Sequence, residues 1–139
     1  MKKENNEVLK EKIYELYNLN NNLKAMNDQL KLFDDEFSEL NRIKESLEDF
    51  QSSQETEAFN HLGGGIFVNV ELKDKDKVLV NVGGNVLVHK DVKEAKKLID
   101  EQALDIHDII KKLDQEINTW ATKVSSLERE IEDLNKDKQ

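Results

Sequence analysis

The sequence predicts a mainly α fold: a long antiparallel two-helix coiled coil whose arms are joined by two central β-hairpins that complete an oligomeric β-barrel. Three observations predict it. Apolar residues recur at alternating three- and four-residue spacing through residues 7–52 and again through 91–135, the period of a coiled-coil seam. Between these arms, residues 58–90 hold all five glycines and the best strand-forming runs. Proline is absent, so nothing forces a break in either arm. Residues 1–139 are accordingly expected to form a single domain of three parts: an N-terminal helix (7–52), a hairpin region (58–90) and a C-terminal helix (91–135).

In the first arm the seam runs Leu9, Lys12, Leu16, Leu19, Leu23, Met26, Leu30, Phe33, Phe37, Leu40, Lys44 and Leu47. That is more than the three or four heptads at which a coiled coil is favoured over an ordinary core helix, and at 1.5 Å per residue it reaches roughly 60 Å. The two seam lysines are expected to turn their ammonium groups outward, with Ile13 and Ile43 beside them supplying the missing apolar contact. The polar stretch Ser52–Ala58 ends the arm.

The central segment reads as four short strands, at about 58–62, 66–73, 77–82 and 86–89, separated by turns. Gly63, Gly64 and Gly65 form one reversal and Gly83, Gly84 and Asn85 another, both suited to hairpins, whereas Asp74-Lys75-Asp76 reads as a solvated charged turn. Ile66, Val68, Val70 and Leu72 alternate with Asn69 and Glu71, and Val78, Val80 and Val82 with Asn81; the isoleucine and the valines give an apolar face with no third layer in this chain to cover it. Isolated two-stranded ribbons are marginal in water and their open edges template pairing, so other subunits must complete the sheet as a closed barrel.

The second arm opens on Asp91-Val92-Lys93-Glu94, a capping-box pattern. Its seam is expected at Val92, Ala95, Ile99, Gln102, Ile106, Ile109 and Leu113, with one extra residue around Leu113, then Ile117, Trp120, Val124, Leu127, Ile131 and Leu134. Joined by a compact insert, the two seams pair antiparallel, with partners whose residue numbers add to about 142.

Charged and hydrophobic residues each make up 37% of the chain and aromatics only 6%, which suits a coiled coil better than a globule. A net charge of -9 repels phosphate backbones and anionic lipid, so neither nucleic acid nor membrane is expected as a partner. The absence of cysteine excludes disulfides and thiolate zinc sites and fits a reducing compartment. No apolar run approaches the roughly 20 residues of a membrane span, and the N-terminus lacks a signal-peptide core, so a cytoplasmic location is expected. The glycines lack the Lys-Ser/Thr and helix of a phosphate loop. His61, His89 and His107 lie in separate elements without metal-ligand spacing, and no serine has a nucleophile's context. No catalytic residue, cofactor or metal is expected, and the chain does not read as an enzyme.

Leu62-Gly63-Gly64-Gly65-Ile66-Phe67-Val68, Lys77-Val78-Leu79-Val80-Asn81-Val82-Gly83 and Val88-x-Lys90 followed by Glu94-Ala95 resemble prefoldin, in particular its archaeal α-class subunit, whose two hairpins distinguish it from the β class. The chain departs from the pattern at His61, where proline is common, at Asn85, where glycine is common, and at His89, where glutamate is common. The resemblance implies an ATP-independent holding chaperone in which two α-class and four β-class subunits join through a double β-barrel. Its six coiled coils capture non-native proteins at their tips and pass them to a group II chaperonin. By position, it implies client-binding tips at Leu9, Ile13, Tyr14, Leu16 and Tyr17 on the first arm, and at Trp120, Val124, Leu127, Ile131 and Leu134 on the second. The alternative is a homo-oligomeric or filament-forming scaffold of the same family. An RNA-binding helical hairpin would need a basic stripe, which the sequence lacks.

Overall fold

The structure is a computed structural model describing residues 2–137. Helix α1 (Lys2–Ser52) is followed by strands β1 (Glu57–Gly63), β2 (Ile66–Glu71), β3 (Lys77–Asn81) and β4 (Leu87–Asp91), then helix α2 (Val92–Lys136). By compactness the chain divides into two units. One comprises the chain up to Glu36 and from Ile106 onward, the other Phe37–Asp105.

The α1 seam lies where its spacing puts it. Every residue of α1 that is buried or half-buried between Leu9 and Leu47 is one of the twelve seam positions, and Phe50 continues the stripe. Ile13 and Ile43 do not cover the seam lysines as expected; they are 49% and 40% exposed. The lysines are accommodated by charge instead, Lys12 pairing with Glu130 and Lys44 with Asp100 at 2.8 Å.

The α2 seam differs from expectation in one stretch. Gln102 is exposed and Ile109 is 42% exposed, while Ala103 and Ile110 turn inward. The extra residue therefore falls between Ile99 and Ala103, not near Leu113, and three-four alternation is then unbroken to Leu134. Strict alternation after Ile99 selects a glutamine, whereas a second four-residue step reaches an alanine that closes against a neighbouring helix without a polar group to satisfy.

In the first unit, the opening turns of α1 lie beside the last turns of α2. Lys2, Asn5 and Asn6 share a hollow with Asp137, and Lys12 meets Glu130, whose residue numbers add to the expected 142. In the second unit, the pairs Lys44–Asp100 and Glu48–Lys96 keep the helices antiparallel within two residues of that register. The Glu130 hydrogen bond holds the Lys12 ammonium above its usual range, and the Asp100 hydrogen bond does the same for Lys44. Stabilisation from a raised lysine pKa is complete below 10.5 and is lost as pH climbs through the higher folded value. Melting temperature is therefore expected to fall as pH is taken above that point, and to fall less in a Lys12→Met/Lys44→Met variant.

The hairpins form two separate two-stranded sheets, β1 with β2 and β3 with β4, both antiparallel. Each closes through the same backbone path. Gly63 and Gly83 sit at φ 121° and 117°, followed by Gly64 and Gly65 at 57° and 77° in the first turn, and by Gly84 and Asn85 at 57° and 60° in the second. Positive φ at both central positions is what a mirror-type hairpin turn requires. Asn85 thus occupies a left-handed site where glycine would be free of strain, and a β-branched side chain there is penalised by about 1–2 kcal/mol. Asn85→Val is expected to lower the denaturant midpoint accordingly, and Asn85→Gly to leave it unchanged or raise it.

The charged turn Asp74-Lys75-Asp76 is more than a solvated loop. The Lys75 ammonium donates to the carbonyl of Ser53, immediately past the end of α1, where the helix presents its negative pole. Val92 N–H, at the start of α2, donates to the Asp76 carbonyl at 2.8 Å, Gln51 Nε2 reaches Asp76 Oδ1 at 3.5 Å, and Asp74 Oδ1 accepts from Asp76 N–H at 2.9 Å. The loop clasps the end of one helix to the beginning of the other. Asp91, the last residue of β4, is in the extended backbone of a residue that immediately precedes a helix, and the amide of Val92 that follows it is satisfied by the Asp76 carbonyl. A hydrogen bond from a charged donor contributes on the order of 1 kcal/mol, so Lys75→Ala is expected to lower the melting temperature by a few degrees without altering helix content.

Candidate functional site

Two surfaces carry apolar groups that the chain itself does not cover. The first lies on the hairpins. In β1–β2 the register opposes Ala58 to Val70 and Asn60 to Val68 on one face, and Phe59 to Asn69 and His61 to Phe67 on the other. Both faces carry open apolar side chains: Ile66 is 60% exposed and Phe59 74%. The His61 and Phe67 rings lie 4.9 Å apart. Leu62 falls at a bulge between His61 and Gly63, which adds another exposed apolar side chain beside the turn.

The β3–β4 hairpin is asymmetric. Val78 and Val80 are half-buried and line an open groove of about 820 Å³ with Leu40 and Leu47 of α1 and Ala95 and Ile99 of α2. Residues of α1 and α2 border that face of the hairpin across the open groove and shield it in part without packing on it. The opposite face pairs Lys77 with Asp91, Leu79 with His89 and Asn81 with Leu87, and it is open; Leu79 and Leu87 are both more than half exposed.

Of the six residues expected to drive assembly, Ile66, Val68 and Val82 are exposed, while Val70, Val78 and Val80 are half-buried. The sequence reading missed Phe59, Leu62, Phe67, Leu79 and Leu87. Their signal was present one position out of phase, in the same two-residue period that selected the valines. It was hidden because a strand with apolar residues on both faces shows no clean alternation. All six turn residues, Gly63, Gly64, Gly65, Gly83, Gly84 and Asn85, hold the positive φ expected of them.

The second surface lies where α1 begins and α2 ends. Tyr14 and Tyr17 are one helical turn apart at outward positions of α1, 68% and 63% exposed, and Ile13 lies beside them. Val8, at 40% exposure, lies on the other flank of the seam and is not part of this patch. The other residues expected to grip a client are engaged in the seam. Leu9, Val124 and Leu127 are buried, and Leu16, Trp120, Ile131 and Leu134 are half-buried, with the Lys123 ammonium 5.6 Å above the Trp120 ring. Side chains buried between the helices cannot also meet a third partner, so among the expected residues Ile13, Tyr14 and Tyr17 are the most open.

Among the described residues no group of three His, Asp or Glu side chains gathers as a metal site, and no helix is long and apolar enough to cross a membrane.

The prefoldin subunit family model matches residues 19–137. The chain is 30% identical over 106 residues to the prefoldin subunit alpha of Methanobrevibacter smithii, covering 76% of this chain and 73% of that protein. It is 27% identical over 124 residues to the prefoldin subunit alpha of Archaeoglobus fulgidus, covering 88% and 90%. Its fold matches a chain in the cryo-EM structure of filamentous PFD from Methanocaldococcus jannaschii with a TM-score of 0.71 at 20% identity, over 83% of this chain and 96% of that one.

Proposed function

The chain belongs to the prefoldin family, and from that premise we propose that it is an α-class chaperone subunit that holds non-native proteins without ATP and passes them to a group II chaperonin. The observation that carries the proposal is the open apolar surface of both hairpins, which a monomer would leave in water: Phe59, Leu62, Ile66, Phe67, Leu79 and Leu87 are each more than half exposed. Patches of this kind mark protein interfaces. These residues, together with Val68 and Val82, make the contacts with other prefoldin subunits, four of the β class for every two copies of this chain. A closed barrel removes the strand edges that would otherwise template aggregation.

The client surface in this proposal is the cluster of Ile13, Tyr14 and Tyr17, with seam residues from Leu9 to Leu16 and Trp120 to Leu134 joining it as the helix ends fray. Several weak apolar contacts, presented together by one assembly, hold an unfolded chain by multivalency. No bond is made or broken, so the proposed role is not enzymatic and needs no cofactor; its place is the cytoplasm. Mixed with β-class subunits, the chain is expected to form a discrete complex that suppresses aggregation of a denatured test protein in the absence of nucleotide. Failure of that complex to protect any denatured protein would overturn the proposal, and an open homopolymer formed by this chain alone would favour the scaffold reading.

A further inference from the structure

Helix α1 ends without a cation of its own. From Glu45 to Glu55 the chain carries Glu45, Glu48, Asp49 and Glu55 and no lysine or arginine, although the unpaired carbonyls of a helix C-terminus already present negative potential. Lys96 of α2 meets Glu48 on the flank at 3.7 Å, but the carbonyl end is met from elsewhere. The Lys75 ammonium, 22 residues further along the chain, donates to the Ser53 carbonyl.

The next residue holds the other helix. The Asp76 carbonyl accepts from Val92 N–H at 2.8 Å and its carboxylate from Gln51 Nε2 at 3.5 Å, while Val92 itself is at 0% exposure. Just before the loop, Leu72 N–H donates to the Thr56 carbonyl at 2.6 Å, joining the entry of β1 to the exit of β2. The passages from α1 to β1, from β2 to β3 and from β4 to α2 therefore meet at one place, within the unit Phe37–Asp105. Away from this place the β3–β4 hairpin is held weakly. An open groove of about 820 Å³ separates Val78, Val80 and Gly83 from the helices, so packing does not fix the hairpin's pose there.

We propose that residues 74–76 act as a strap that holds the β3–β4 hairpin in its pose on the two helix ends, with Lys75 as the link that can be released. While Lys75 reaches Ser53, the hairpin and the head of α2 open and close as one unit; without it, the hairpin is freed from its base. The strap thereby fixes the direction in which the open side chains of Leu79 and Leu87 are presented, and this holds whatever covers them. A two-stranded ribbon released from its support is marginal in water, so release shows as faster exchange of the ribbon's own amides. The link joins a charge to a helix pole at a half-buried side chain, so salt weakens it.

The test is hydrogen exchange of the full-length chain, read by mass spectrometry on peptides from residues 77–91 and the opening turns of α2, with residues 37–47 of α1 as the internal reference. Lys75→Met keeps the aliphatic stem and removes the ammonium; Lys75→Arg keeps a charged donor. Lys75→Met is expected to speed exchange in 77–91 and the head of α2 about tenfold while 37–47 stays at the wild-type rate, and Lys75→Arg to retain most of the protection. Raising the ionic strength from about 0.05 M to about 0.5 M should move the wild type toward Lys75→Met and leave Lys75→Met unchanged. Equal acceleration in 37–47, the mark of a general loss of stability, overturns the inference. So does an unchanged profile in Lys75→Met, or a Lys75→Arg chain that exchanges as fast as Lys75→Met.

Discussion

Val68→Asp is expected to leave a helical, soluble chain that no longer enters the hetero-oligomer. Val68 is 37% exposed, opposite Asn60, and in the proposed assembly its side chain passes from water into contact with a neighbouring subunit. A carboxylate there must be desolvated with no partner cation, a penalty of several kcal/mol that falls on association and hardly at all on the free chain. Affinity is expected to drop by at least a thousandfold, a loss of about 4 kcal/mol at each copy of the interface. Val80→Asp should fail differently. Val80 is half-buried on the groove that α1 and α2 border, so its charge would be partly shielded within the chain and would lower the melting temperature as well as assembly. Circular dichroism and sedimentation of the two variants separate the effects. A Val68→Asp chain that still assembles with wild-type affinity would exclude this face from the interface.

The second large effect is expected at the proposed client surface. Ile13→Ser/Tyr14→Ser/Tyr17→Ser should abolish protection of a denatured protein while leaving the oligomer and its melting temperature nearly intact. These side chains are exposed, so their removal withdraws little packing from the seam, whereas removing Leu9, Val124 or Leu127 would open it. Multivalent capture amplifies the loss, because every copy of the subunit in the complex loses its contacts at once. Deleting about residues 1–17 with 124–139 should abolish protection too, but that truncation also removes buried seam residues; the triple substitution is the sharper measurement. Wild-type protection by the triple variant would remove these three residues from the client surface.

The long-range order of this fold is legible in its residues because coiled coils and hairpins are governed by local rules. A side chain's position in a heptad fixes whether it faces the partner helix, and all twelve α1 seam positions follow from spacing alone, including both lysines. Glycine and asparagine likewise mark the positive-φ positions of the turns, since few other residues occupy them without strain. The exchange of Gln102 for Ala103 was not legible in the same way. Two consecutive four-residue steps are a departure from period that only the facing helix decides.

By itself, then, the sequence determined the two helices, the two hairpins, their turns and the α1 stripe, each set by contacts within a few residues along the chain. Tertiary structure decided what those elements do to one another. It alone turned Asp74-Lys75-Asp76 from a solvated loop into a clasp, made Val78 and Val80 one wall of a groove bordered by α1 and α2 while leaving Leu79 and Leu87 open, and took Leu9, Val124 and Leu127 into the seam while Tyr14 and Tyr17 stayed outside. The physical reason is that burial belongs to a pair of surfaces, and a one-dimensional pattern records which residues want to be covered without recording what arrives to cover them.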